Sequence, residues 1–257
     1  MLRIPQHHCS IPSPPTHLPN NLALVISVID GPIDVDLRNH GNSPHTDSML
    51  WCDMAADVVK FMDDEGYESA RFVGHSLGGK VAMALALLHP DRVENLVVVD
   101  IAPVTYPGPR TDGVGGVLRS MMELDLTGVR SRVQADDMAR DIIPNKFVRG
   151  FVMQNLVYTK SGGAGMVWRC NLEQLAECLP YLSAFDLGDD VGARTAHHDA
   201  LFVRGEMSKH LHPRHHPEVR RMFPNADIAL VRGAGHYLHA QKQDEFGKLL
   251  AQFWDDA

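Results

Sequence analysis

In the stretch ARFVGHSLGGKVAMALALLHP, residues 70–90, Ser76 stands between Gly74 and Gly78 in a G-x-S-x-G pattern. A serine hydroxyl is a weak nucleophile alone. It needs a general base within hydrogen-bond reach, an acid that orients the base, and amide donors aimed at the oxyanion. The β-prone run before Ser76 and the Ala- and Leu-rich run after it predict a strand, a sharp turn and a helix. In that context the serine sits on a strained turn, small residues are required at Gly74 and Gly78, and Gly79 adds room. The Leu77 N–H, in the first helical turn, then points at the position of an oxyanion. The competing reading is a tight strand-to-helix turn with an incidental serine.

The base of such a constellation comes from the loop after the last strand. GAGHYLHAQ supplies His236 there, whereas His239, on the way into the next helix, reads as a surface or supporting residue. Three carboxylates compete for the third role. The next-to-last strand, ALFVRG, is followed by Glu206, Met207 and Ser208, with no aspartate. Asp100 ends the strand NLVVVD, and from the carboxyl end of a strand beside that of Ser76 it would reach a loop histidine. Glu173, in the helical region, is the third candidate.

The elements that must hold these residues alternate. PIDVDLRNHGNSPH reads as a short strand and a turn-rich loop, MLWCDMAADVVKFMDDEG as a helix stopped at Gly66, and VENLVVVDIAP as a buried strand closed by Pro103. Such alternation implies a mostly parallel sheet with helices on both faces. Between about residues 104 and 195 the pattern is helix after helix with no strand, an insertion over one sheet edge that reads as a helical cap. Strand and helix alternation returns with HDALFVRG, HPEVRRMFP, ADIALVRG and DEFGKLLAQFW. Residues 34–257 therefore form one α/β domain, and residues 1–33 read as irregular or incomplete, with NNLALVISVIDG as a possible edge strand.

Bulk properties exclude several functions. The 257 residues are 44% hydrophobic and 22% charged, and a net charge of −8 with no basic cluster argues against nucleic acid as partner. The four cysteines form no C-x-x-C pair, which fits a reducing compartment and not a secreted one. No apolar stretch is long enough to cross a bilayer as a helix. The first 29 residues lack Asp and Glu but hold one basic residue, Arg3, a weak targeting signal. His210, His212, His215 and His216 cluster in KHLHPRHHPEV without metal-ligand spacing, so no metal is expected. Val117, Leu118, Met121 and Met122 form a cap stripe suited to packing, with the methionines able to line an acyl pocket. Arg38 and His40 read as braces of a structural turn.

Together, DLRNHGNSPH, GHSLGGKVAMALALLHPDRVENLVVVDIAPV, VWRCNLEQL, HPRHHPEVRRMFPNADI and GAGHYLHAQ resemble the α/β-hydrolase-domain-containing protein 11 group and its small bacterial esterase relatives. The resemblance implies an α/β-hydrolase fold and a serine esterase of lipid metabolism, with no cofactor and with acyl or lipid-like esters, diacylglycerols included, as substrates. It also implies a mitochondrial setting, the cytoplasm being the alternative. The aspartate that serves as triad acid in the bacterial relatives falls on Asp100, while some eukaryotic assignments fall on Glu173. Relatives carry two or three more strands before DLRNHG and an "HG" loop that gives a second oxyanion N–H. Here the corresponding stretch ends in Asp30, Gly31 and Pro32, and Pro32 has no N–H to donate. The expected assignment is Ser76 as nucleophile, His236 as base, Asp100 as acid and Leu77 as oxyanion donor. The alternatives are a thioesterase or acyltransferase, or a weakened acyl- or partner-binding module.

Overall fold

A computed structural model describes residues 24–28, 31–107, 114–159, 165–188 and 194–256. The chain opens with strands β1 (Leu24–Val28) and β2 (Gly31–Val35), then helix α1 (Trp51–Glu65), strand β3 (Ala70–His75), helix α2 (Leu77–Leu88) and strand β4 (Val93–Val99). Helices α3 (Val114–Glu123), α4 (Arg132–Met138) and α5 (Lys146–Met153) lead to strands β5 (Leu156–Tyr158) and β6 (Met166–Trp168) and helices α6 (Leu172–Glu177) and α7 (Leu179–Ser183). Strand β7 (Asp199–Gly205), helix α8 (His216–Met222), strand β8 (Ala226–Val231), and helices α9 (Leu238–Gln241) and α10 (Gln243–Asp256) complete it.

The main sheet runs β2-β1-β3-β4-β7-β8. Strands β3, β4, β7 and β8 are parallel, and β1 is antiparallel to both neighbours. Its period-two alternation feeds two cores. Ile26, Phe72, Leu96, Val98 and Phe202 face α1 and α2, while Val25, Val73, Val97, Val99 and Val203 face the stripe Phe246, Leu250 and Trp254 of α10. The i, i+4 spacing of that stripe puts all three side chains on one side of the helix. Helix α1 ends where Gly66 takes the left-handed φ of 78° and its N–H caps the last carbonyls. Gly66 thus sets the direction of entry into β3, the strand that delivers Ser76.

Two expectations are corrected. The region read as irregular, residues 1–33, contains β1, and NNLALVISVIDG does not make an edge strand. β1 lies inside the sheet with Leu24 opposite Gly74 and Ser27 opposite Arg71, because Leu24, Val25 and Ile26 alternate between both cores and are buried. The end of the strand pair where Val28 lies opposite Gly31 is consequently at the amino end of β3, and Pro32 lies at the end of the sheet away from Ser76. Residues 1–23 lie outside the described residues.

The cap also contains a strand pair. Leu156–Tyr158 and Met166–Trp168 pair antiparallel, where the end of one helix and the start of the next were expected. The β-branched and aromatic residues of LVY and MVW, separated by the glycine-rich SGGAG, favour a hairpin over a helix. The Trp168 indole N–H donates to the Met121 carbonyl at 3.1 Å and fixes this hairpin to α3. Asn39, fully buried at φ 64°, joins the DLRNHG turn to the cap: its side-chain oxygen accepts from Thr46 and Asn171, and its carbonyl accepts the Asn171 N–H.

Candidate active site

Ser76 sits between β3 and α2 at φ 52°, ψ −113°, a region that side chains other than glycine rarely enter. The surrounding structure compels it. The Ser76 N–H donates to the Val99 carbonyl at 3.1 Å, and the Ser76 carbonyl accepts the Lys80 N–H at 3.1 Å. A Cβ on Gly74 would come within 2.4 Å of the Gly78 carbonyl oxygen, and one on Gly79 within 2.7 Å of Ile101. Crowding is therefore severe at Gly79, which the sequence suggested only as extra room. The elbow holds the Ser76 side chain at the carboxyl edge of the sheet, half-buried, beside the first amides of α2. The Leu77 N–H belongs to that first turn, whose donors have no acceptor within the helix.

Parallel pairing of β3 with β4 in the register His75 opposite Val99 brings the next residue of each strand, Ser76 and Asp100, to the same edge. Asp100 is completely buried at φ 52°, its N–H bonded to the Val203 carbonyl at 2.8 Å. His236 closes the arrangement. Its Nδ1 lies 2.8 Å from Asp100 Oδ2, and its Nε2 lies 3.1 Å from Ser76 Oγ. The loop that carries His236 crosses β7 at Gly205, where a Cβ would stand 2.3 Å from the Gly235 carbonyl oxygen. Gln241 of α9 pins it by accepting the Gly235 N–H at 2.7 Å.

Asp100 is held by more than His236. The Gly205 N–H donates to Oδ1 at 3.0 Å, and the Ser208 hydroxyl donates to Oδ2. Burial raises the Asp100 carboxyl above its ordinary range, and the Ser208 and Gly205 hydrogen bonds pull it back. Burial, together with the neighbouring His210 and His239, holds His236 well below the usual histidine range. At neutral pH the imidazole is therefore an unprotonated acceptor for the Ser76 proton, and the adjacent Asp100 carboxylate favours the imidazolium as it forms.

Of the other expected residues, Glu206 is exposed and accepts the Gly233 N–H at 2.8 Å, and Glu173 is exposed in the first turn of α6. Neither carboxylate is in the chain of bonds from Ser76. His239 is buried, not at the surface, with its ring 4.5 Å from that of His75. Arg38 pairs with Asp57 at 2.6 Å and with Asp53, and His40 Nδ1 contacts the Arg38 carbonyl, so both brace the loop against α1. Met121 and Met122 line a cap cavity of about 470 Å³ with Leu124, Met166 and Trp168. Among the described residues no group of three or more His, Cys, Asp or Glu is arranged to hold a metal. His215, of the histidine cluster, is buried, with Nδ1 on the His210 carbonyl and Nε2 accepting from Arg214.

Sequence reasoning gave no site role to four residues that surround the reacting groups. The His210 ring stacks 4.0 Å from that of His236, and His75, buried behind it, bonds the His236 carbonyl at 2.8 Å through Nε2. Lys80, one turn after Ser76 and 2% exposed, donates to the carbonyls of Leu182, Ser183 and Ala184 at the end of α7. Its ammonium also lies 5.2 and 5.0 Å from the rings of Trp51 and Tyr106, and burial lowers its pKa to about 7. Tyr106 accepts the Ala102 N–H and donates to the His210 carbonyl. Its backbone N–H bonds the Ser183 carbonyl, so the end of the cap and the His210 loop meet on this one residue. A lysine inside a helix whose other buried residues are nearly all apolar or glycine was the available signal for this contact.

A model of the alpha/beta hydrolase family matches residues 33–249. The chain is 35% identical over 226 residues to the sn-1-specific diacylglycerol lipase ABHD11 of Mus musculus, covering 86% of this chain and 70% of that one. It is 32% identical over 224 residues to Esterase YbfF of Escherichia coli, covering 87% and 82% respectively. A solved structure of a marine microorganism esterase superposes with a TM-score of 0.78 at 30% identity, covering 85% of this chain and 82% of the other. The chain belongs to the alpha/beta hydrolase family.

Proposed function

We propose that this protein is a serine hydrolase that cleaves carboxylic esters of acyl or lipid type through an acyl-enzyme. The observation that carries the reading is the unbroken chain from Ser76 Oγ through the His236 ring to buried Asp100, set on a left-handed elbow. Ser76 attacks the ester carbonyl as His236 Nε2 takes its proton, and the Leu77 N–H receives the negative charge that develops on the carbonyl oxygen. Collapse of the tetrahedral adduct expels the alcohol, which leaves with the proton from His236. Water, activated by the same imidazole, then releases the acid and restores the Ser76 hydroxyl.

The lipid character of the substrate is supported by the similarity to a diacylglycerol lipase, and ester cleavage by the similarity to that lipase and to an esterase. The resemblance also points to a mitochondrial setting, which imaging of a fluorescent fusion tests. Hydrolysis of 4-nitrophenyl butyrate tests the activity. Ser76→Ala lowers kcat by about four to six orders of magnitude while the fold, read by circular dichroism, is retained. Equal turnover by the variant would remove Ser76 as nucleophile.

A further inference from the structure

Helix α5 turns two phenyl rings, Phe147 and Phe151, away from the apolar interior of the cap. They are one helical turn apart and therefore share a face, yet they remain 48% and 37% exposed. The opposite side of α5 is the anchored one: Val152 and Met153 are buried, and Arg149 pairs with Asp136 at 2.8 Å and bonds the Ile143 carbonyl. The exposed face meets the body of the protein at Tyr237, whose ring centroid lies 5.1 Å from that of Phe147 and 5.9 Å from that of Phe151. Gly150, between the two phenylalanines in sequence, has open space where a Cβ would be.

Tyr237 is the residue after His236, and the two rings are 5.3 Å apart. Its hydroxyl is donated to no acceptor among the described residues. Three aromatic rings, two of them substantially wet, thus converge beside the candidate base. Apolar area left in water at such a place gains free energy when a ligand covers it.

The chemistry decides which part of an ester lies there. The acyl carbonyl oxygen is directed to the Leu77 N–H, whereas the alcohol oxygen must lie at the imidazole to receive its proton. The carbon skeleton of the alcohol therefore begins at His236 and extends over the residues that flank its ring. We infer that Phe147, Phe151 and Tyr237 form the binding surface for the alcohol portion of the ester and select apolar or aromatic alcohols over small ones. The inference rests on the hydrolase reading above and names the substrate half that this surface recognises.

Ethyl, 2-phenylethyl and octyl butyrate test it, because their alcohols have similar acidity and differ mainly in apolar surface. Ethyl octanoate, compared with ethyl butyrate, supplies the acyl control. In the wild-type protein 2-phenylethyl butyrate has the higher kcat/KM of the 2-phenylethyl and ethyl pair. Phe147→Ala/Phe151→Ala reduces that ratio about tenfold, through KM, and leaves the octanoate-to-butyrate ratio unaltered. Phe147→Leu/Phe151→Leu, which keeps apolar volume, restores most of it. An unchanged alcohol ratio overturns the assignment, as does a parallel loss on all four esters or a change confined to the acyl comparison. A wild-type protein that an alkyl fluorophosphonate modifies at Ser76 but that shows no alcohol preference contradicts this inference alone, whereas one that is neither modified nor turns over any ester contradicts the hydrolase reading and this inference with it.

Discussion

Ser208 donates its hydroxyl proton to the Asp100 oxygen, Oδ2, that faces His236 Nδ1. The residue at the position where an acid was sought after β7 thus donates to a carboxylate that arrives from the end of β4. Its hydroxyl also accepts the His210 N–H at 3.2 Å, so one side chain ties the carboxylate to the loop whose imidazole stacks on His236.

Ser208→Ala removes a hydrogen bond to a buried carboxylate without touching the reacting atoms. Such bonds contribute about 1.5–3 kcal/mol, so kcat/KM for 4-nitrophenyl butyrate falls by roughly 10- to 100-fold. Asp100 loses one of the interactions that offset its burial and its carboxyl rises further. A variant as active as the wild type shows that Gly205 and His236 suffice to hold Asp100.

Asp100→Asn keeps the shape of the site but no longer enforces the productive histidine tautomer, and kcat drops by about 10⁴-fold. Glu206→Gln and Glu173→Gln, whose carboxylates lie off the chain of bonds, stay within a few-fold of wild type. Steady-state kinetics of the three variants decide among the carboxylates, and a crippled Glu173→Gln would transfer the role to the cap.

The pH profile follows from His236. The neutral imidazole is the active form, and burial with His210 and His239 as neighbours keeps it neutral below the ordinary histidine range. The acid limb of kcat/KM accordingly lies below pH ~6.5, the value of a free histidine. His210→Phe removes one neighbour that disfavours the imidazolium, and the limb moves to higher pH. A shift to lower pH contradicts the assigned direction.

Stability rises with pH for the same physical reason. His75 and His236 are buried and held well below the usual range, so below about pH 6.5 the unfolded chain binds protons that the folded one does not. Folding stability falls as the pH drops through that window. Lys80 adds a second window. Its pKa is lowered from 10.5 to about 7, so between those values the unfolded chain carries the extra proton and stability increases with pH. One proton gives a slope of at most about 1.4 kcal/mol per pH unit. Urea unfolding of Lys80→Met lacks the upper component, and identical slopes in the variant and the wild type would refute it.

The βα units were legible because their signals are local. A β-branched run, G-x-S-x-G and an Ala-rich helix specify β3, the elbow and α2, and the position of Asp100 at the carboxyl end of a strand beside that of Ser76 was readable in the same way. The role of Ser208 was not, since it depends on a contact over 108 positions along the chain. Leu24–Val28 was hard to place because period two tells that both faces are buried but not which strands lie on either side. The cap hairpin was misread as helix since three-residue strands carry too little pattern to compete with the helical periods around them. Nor do the exposed Phe147 and Phe151 differ in sequence from core phenylalanines; only their distance to Tyr237 marks them.

The central claim is that Ser76 is a nucleophile activated by His236, and covalent capture tests it most directly. Wild-type protein, Ser76→Ala and His236→Ala are each treated with an alkyl fluorophosphonate, and the modified peptide is located by mass spectrometry. The account predicts one adduct, on Ser76, formed rapidly in the wild type, absent from Ser76→Ala and slowed by orders of magnitude in His236→Ala. Folded wild-type protein that forms no adduct, or forms one on another residue, would contradict it.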